Sequence, residues 1–308
     1  MNATSVLQQW SRERSDLAAA LARHTLAIAL GARRSVSGIR WRGALVVTAA
    51  EALAGRDEVV LVSEHGETQG SVIACDLATD VAVLRIGAQA LPDAAGAGAT
   101  AAAAPMLEGG AGVVIVGRAA AGPVMGFGTV RLAGPAWRSR RGGAIAQRLE
   151  FEAALDGRFE GALVADFAGT AQAMLVSGPR GRLLGIPGQT IHRIVAAVEQ
   201  HGYLPRPYLG LRLQGLWLDE ATRNRWGRSS RSLAAVAGVE SESPAEAAGI
   251  APGDLLEAID GVMIDDAEGL AAQLAQSRPG GSVELRLRRG GQSQTLQVRV
   301  GERRRPQR

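Results

Sequence analysis

The sequence predicts a mostly-β protein with two antiparallel barrels, and three observations carry that expectation. Short runs rich in valine, leucine and isoleucine recur between turn residues at 45–48, 59–63, 70–74 and 81–86, the spacing of strands in an antiparallel barrel. A second series of such runs, at 113–116, 125–132, 147–152, 161–164, 172–176 and 183–186, supplies another barrel. Between them residues 88–111 are low-complexity alanine and glycine with two prolines and no period, so they read as a linker. A chain of 308 residues is long for one domain and leaves room for a further module behind the barrels.

Composition narrows the class. A hydrophobic content of 46% with 21% charge describes a core-forming globular protein, and no run of about 18 apolar residues exists to span a bilayer. All 34 basic residues are arginine, a coding bias that weakens any functional reading of the high pI, and the net charge is only +4. The densest charge, Arg303-Arg304-Arg305-Pro306-Gln307-Arg308, reads as a solvated tail. The basic loop 136–143 has one aromatic, Trp137, but no stacking platform or second basic stretch, so no nucleic-acid partner is expected. The single cysteine, Cys75, cannot form an intramolecular disulfide and sits in an apolar strand context as a small hydrophobe. Four histidines are scattered singly, without C-x-x-C or H-E-x-x-H spacing, so neither a metal site nor a cofactor is expected.

In chain order, Val6, Leu7, Trp10, Leu17 and Leu21 recur at a helical period and predict an amphipathic helix over 5–22. This segment lacks the charged, apolar and small-residue order of a signal peptide. A cytoplasmic location is therefore expected on the sequence as given, and a periplasmic one if the true start lies upstream. A strand at 24–30 turns through Gly31 into 37–41, and His65 falls in a polar hairpin tip. Ile191, Ile194, Val195 and Val198 predict a helix over 190–200 that stops at Gly202, with His192 and His201 as structural or capping residues on it.

Three turns carry the chemistry. Thr48-Ala49-Ala50-Glu51 follows the strand at 45–48, Asp80 opens the strand at 81–86, and Gly157-Arg158-Phe159-Glu160-Gly161-Ala162 precedes Leu163. In this order they resemble the protease part of the HtrA group of trypsin-like serine proteases. The resemblance implies a trypsin-like double six-stranded antiparallel β-barrel: an N-terminal helical segment at 1–23, a first barrel at 24–87, the linker at 88–111 and a second barrel at 112–188. It also implies a histidine, aspartate and serine triad at 51, 80 and 159. Those positions hold Glu51, Asp80 and Phe159.

Phe159 has no nucleophilic atom, and Glu51 lacks the ring nitrogen that relays the proton. Glu160 and Ala162 replace the small residue and the proline of the family's oxyanion loop. A pseudoprotease is the expectation. Of the barrel serines Ser37, Ser63, Ser71, Ser139 and Ser177, none sits in a glycine-flanked elbow with a histidine in a matching turn. Two alternatives stay open: a divergent active endopeptidase, and a regulatory subunit of an active homologue. Glu51 and Asp80 would bring two carboxylates together, which should raise one of their pKa values unless an arginine intervenes.

The C-terminal third resembles the PDZ domain attached to HtrA proteases, through Pro207-Tyr208-Leu209-Gly210-Leu211 and the segments 239–250, 252–261 and 269–276. It places a connecting helix and linker at 189–205, an α+β PDZ domain at 206–301 and a basic tail at 302–308. PDZ domains bind polypeptide C-termini by strand addition, with the carboxylate held by backbone N–H groups. By resemblance the loop Tyr208, Leu209, Gly210 and Leu211 supplies those donors, and Leu211, Leu270 and Leu274 line the side-chain pocket. Partners implied are protein or peptide C-termini, a homotrimer packed through the N-terminal segment, or a hetero-oligomer with an active homologue. The implied role is that of a scaffold, chaperone-like binder or regulator in protein quality control.

Overall fold

The computed structural model describes residues 3–31, 34–53, 55–87, 101 and 104–302. The chain divides into two compact units, 1–137 with 144–204, and 138–143 with 205–308. Most of the expected linker, 88–100 and 102–103, lies outside the described residues, as do the arginines of the basic tail. The described part of the linker is packed rather than loose: Ala101, Ala104 and Leu107 are buried.

Two closed six-stranded barrels make up the first unit. β1 (Thr25–Ala29), β2 (Ser35–Arg42), β3 (Leu45–Thr48), β4 (Glu58–Ser63), β5 (Gly66–Asp76) and β6 (Val81–Ile86) close in the order β1-β2-β3-β6-β5-β4. β7 (Gly112–Ala119), β8 (Gly122–Gly134), β11 (Arg148–Glu152), β12 (Leu163–Ala165), β13 (Ala171–Ser177) and β14 (Leu183–Pro187) close in the order β11-β14-β13-β12-β7-β8. A short pair, β9 (Trp137–Arg138) and β10 (Ala144–Ile145), spans the basic loop. The expected strand at 161–164 begins only at Leu163, because Gly161, at φ +77°, belongs to the preceding turn.

Helix α1 (Ala3–Ala22) buries only its C-terminal half: Ala18, Leu21 and Ala22 join the first core, whereas Val6, Leu7 and Trp10 are exposed. Arg14 sits over the rings of both Trp10 and Phe127, 4.2 and 3.5 Å from their centroids. After the turn helix α2 (Ala50–Leu53), helix α3 (Gly188–His201) presses Ile191, Ile194, Val195 and Val198 onto the same core and ends at Gly202 in the left-handed region.

The second unit is the α+β module. β16 (Leu211–Trp217), β17 (Ser232–Val239), β18 (Leu255–Ile259), β20 (Ser282–Arg289) and β21 (Gln292–Arg299) pair in that order, with β19 (Val262–Met263) on β18 and β15 (Pro207–Tyr208) on β22 (Gly301–Glu302). β16 is thus an edge strand. Helices α4 (Glu220–Arg225), α5 (Pro244–Ala247) and α6 (Ala267–Leu274) complete it. The helix expected at 269–276 starts two residues earlier because Asp266 caps it, its carboxylate accepting the Gly269 N–H at 2.7 Å. Asp254 and Glu257, both buried, are matched by Arg289 and Arg288 at 2.7 Å.

Candidate functional site

Glu51 lies in α2, the turn after β3, and its N–H donates to Asp80 Oδ1 at 2.8 Å. Asp80 turns the chain into β6 at φ +57°, a left-handed conformation that aspartate tolerates better than most residues. The two carboxylates expected to meet are therefore linked through a backbone amide as well as by proximity. Burial pushes the Asp80 carboxyl up to about 7, against the pull of the Glu51 N–H, with the charges of Glu160 and Glu51 adding to the rise. The sequence expectation assigned this shift to paired charges. Desolvation is the larger cause, because a carboxylate removed from water loses hydration that two backbone bonds only partly replace.

Phe159 closes a single 3-10 turn, Gly157–Phe159, capped by Asp156. The Asp156 carboxylate accepts the Arg158 N–H at 2.9 Å and the Arg158 guanidinium, which holds its carboxyl down at about 2. The Phe159 N–H donates to Asp156 O at 3.1 Å. The ring points away from solvent, 6% exposed, into the second-barrel core with Val113, Ile115, Phe151 and Leu175. An oxyanion hole at this position needs the N–H of the nucleophile residue directed at the substrate, and here that N–H is occupied within the turn.

Ser37 on β2 anchors the loop from the first barrel. Its N–H donates to Glu160 O at 2.7 Å and its hydroxyl to Arg158 O at 2.8 Å, while Thr48 Oγ1 donates to Ser37 O at 2.7 Å. Gly161 completes this close approach: at φ +77°, a Cβ there would lie 2.2 Å from Ser37 O. Nothing in the sequence pattern marked Ser37 as more than a barrel serine.

Around these turns lies a cavity of about 770 Å³ lined by Glu51, Arg34, Asp156, Arg158, Glu160 and Ser177 among others. The Ser177 N–H and hydroxyl both donate to the Glu160 carboxylate. No histidine lines this cavity. His24 is partly buried, its pKa lowered by desolvation and by Arg40 and Arg23; His65 sits beside Glu64 at the hairpin tip, and His192 and His201 are on α3. Among the described residues, no cluster of three histidine, cysteine, aspartate or glutamate side chains is placed to hold a metal. Cys75 is half-buried against the first core.

In the second unit, Leu209 O accepts the Ala245 N–H at 2.9 Å and Gly210 O accepts the Glu240 N–H at 2.8 Å, which fixes the loop before β16. The Tyr208 hydroxyl donates to the Glu240 carboxylate. Gly210 sits at φ +83° where a Cβ would fall 2.2 Å from Ser243 Cβ, so only glycine fits. Neither the Leu209 nor the Gly210 N–H donates a hydrogen bond among the described residues. The Glu240-to-Gly210 bond makes Leu211–Val239 a non-hydrogen-bonded pair, so the Leu211 N–H also faces the open edge. Leu209, Leu270 and Leu274 are buried in one core cluster, with Leu211 half-buried against it. Three consecutive N–H groups that donate to nothing among the described residues, beside an apolar floor, suit an anion at the end of an extended chain.

A family model for the PDZ domain matches residues 207–300. A relative named "Probable periplasmic serine endoprotease DegP-like" from Rhizobium meliloti is 32% identical over 124 residues, which is 40% of this chain and 24% of that protein, so the chain matches about a quarter of its length. The "Serine protease Do-like HtrA" of Lactobacillus helveticus is 25% identical over 270 residues, covering 83% of this chain and 64% of that one. Among solved structures, the HtrA-type protease AlgW with decapeptide superposes with a TM-score of 0.61 at 21% identity, covering 95% and 99% of the two chains. The serine endoprotease from Yersinia pestis gives 0.62 at 19% identity, covering 94% and 98%. Among the described residues no helix is long and apolar enough to cross a membrane. The chain therefore carries a PDZ domain and shares the fold of HtrA-type serine proteases, a trypsin-like double barrel followed by that domain.

Proposed function

We propose that this chain is a catalytically inactive HtrA-type homologue that holds polypeptide C-termini through its PDZ domain, as a scaffold, chaperone-like binder or regulator. The observation that carries the reading is Phe159. At the position that aligns with the family's nucleophile, its ring is part of the barrel core and its N–H is bonded to Asp156 O. Glu51 stands where the general base would be, and no histidine lines the cavity to replace it. C-terminus binding is supported by the unbonded N–H groups of Leu209, Gly210 and Leu211 beside an open edge strand. A decapeptide accompanies the solved HtrA-type relative, which supports a peptide ligand here. The rhizobial relative's name supports a periplasmic location.

Binding of labelled peptides that end in an apolar residue tests the reading. Free-acid peptides are expected to bind in the micromolar range, about −8 kcal/mol, and amidation of the terminus to remove most of that affinity, since an amide has no charge for the N–H nest. Equal binding of acid and amide would remove the carboxylate nest from the account.

A further inference from the structure

Trp217 ends β16 with its indole 83% exposed, the largest exposure of any bulky apolar side chain among the described residues. It is not scattered at random. Side chains alternate along a strand, so Leu211, Leu213, Gly215 and Trp217 share one face of β16. Leu211 and Leu213 on that face pack against the core cluster that contains Leu270 and Leu274 of α6. Gly215 has no atom within 4 Å of the place a Cβ would occupy. The face therefore runs from an apolar floor, across an open notch at Gly215, to a standing indole wall.

A chain added antiparallel to β16 with its carboxylate at Leu209–Leu211 passes this notch. Six residues at about 3.4 Å each separate Leu211 from Trp217, roughly 20 Å, so the indole stands beside the ligand residue five or six positions before the last. Backbone pairing fixes the end of the strand here: the Leu218 N–H donates to Arg231 O at 2.8 Å beside the Trp217–Ser232 pair.

Resting on the C-terminus-binding reading above, we propose that Gly215 and Trp217 form an upstream subsite. It takes a large apolar or aromatic side chain five or six residues before the ligand's C-terminus. The ligand is then an extended C-terminal segment of at least six residues, not a terminal tripeptide. Indole stacking supplies the selectivity.

The test is selection of a random ten-residue peptide library with free C-termini on the full chain and on Trp217→Ala, whose exposed position leaves the fold unaffected. The expected result is an apolar terminal residue in both selections, and an aromatic enriched severalfold at the fifth or sixth position upstream with the unsubstituted chain alone. Matched decapeptides with Phe or Ala at that position should differ at least fivefold in Kd, and the difference should vanish in Trp217→Ala. An apolar terminus without upstream preference, or a preference that survives Trp217→Ala, overturns the subsite and leaves C-terminus binding standing. Absence of any terminal preference overturns both.

Discussion

Replacing Phe159 by serine is expected to destabilise the barrel unit by about 3–5 kcal/mol and to restore no hydrolysis of casein. The ring is 6% exposed and packed among Val113, Ile115, Phe151 and Leu175. Large-to-small changes at such sites lose the transfer free energy of the ring and leave a cavity, about 3–5 kcal/mol for a phenylalanine. The new hydroxyl adds a polar group facing a hydrocarbon core. Chemistry does not return with it, because Glu51 cannot relay a proton as imidazole does, and the amide at 159 is held by Asp156 O in the 3-10 turn. On that ground the double variant Glu51→His, Phe159→Ser stays inactive too. Denaturant unfolding of the full chain reads the stability. A cost below about 1 kcal/mol would show that the ring is not built into the core.

Asp80→Asn is expected to raise stability by up to about 4 kcal/mol at pH 8 and to flatten its pH dependence. The folded carboxyl titrates at about 7 against an ordinary value of 3.8. Between those two values the folded state binds the proton that the unfolded state has released, so stability from this group is full below about 4 and falls as pH rises toward 7. At about 1.4 kcal/mol per pKa unit, the loss has a ceiling of about 4 kcal/mol. Asparagine keeps an oxygen for the Glu51 N–H and carries no charge to desolvate. Glu51→Gln should act in the same direction with a smaller effect, because its charge is a minor contributor beside burial. Midpoints measured from pH 4 to 8 decide the matter: a loss of stability at pH 8 in Asp80→Asn would mean that the carboxylate is ionised and favourably paired.

Much of this architecture was legible because it rests on local rules. Short β-branched runs between turn residues marked the barrel strands, and the Ile191, Ile194, Val195 and Val198 spacing marked α3. Glu51, Asp80 and Phe159 were singled out by the resemblance of three turns to those of the HtrA group. What they touch was not legible. Ser37 holds carbonyls of a loop 121 residues away in sequence, a contact that no periodicity encodes. The direction of the Phe159 ring depends on room in the second core, and the Asp80 proton on burial. The stripe on α1 was read correctly as helical, yet only its Ala18–Ala22 end meets the core, since amphipathicity shows which face is apolar and not what covers it.

The most direct test of the central claim is the intact mass of the full chain after exposure to a fluorophosphonate, which bonds only to a serine activated as a nucleophile. The cavity offers Ser35 and Ser177, and the Ser177 hydroxyl donates to Glu160 with no imidazole in the lining. The account predicts an unchanged mass at a probe concentration that labels an active trypsin-like protease to completion. A stoichiometric adduct on Ser177, or on any other serine, would contradict it.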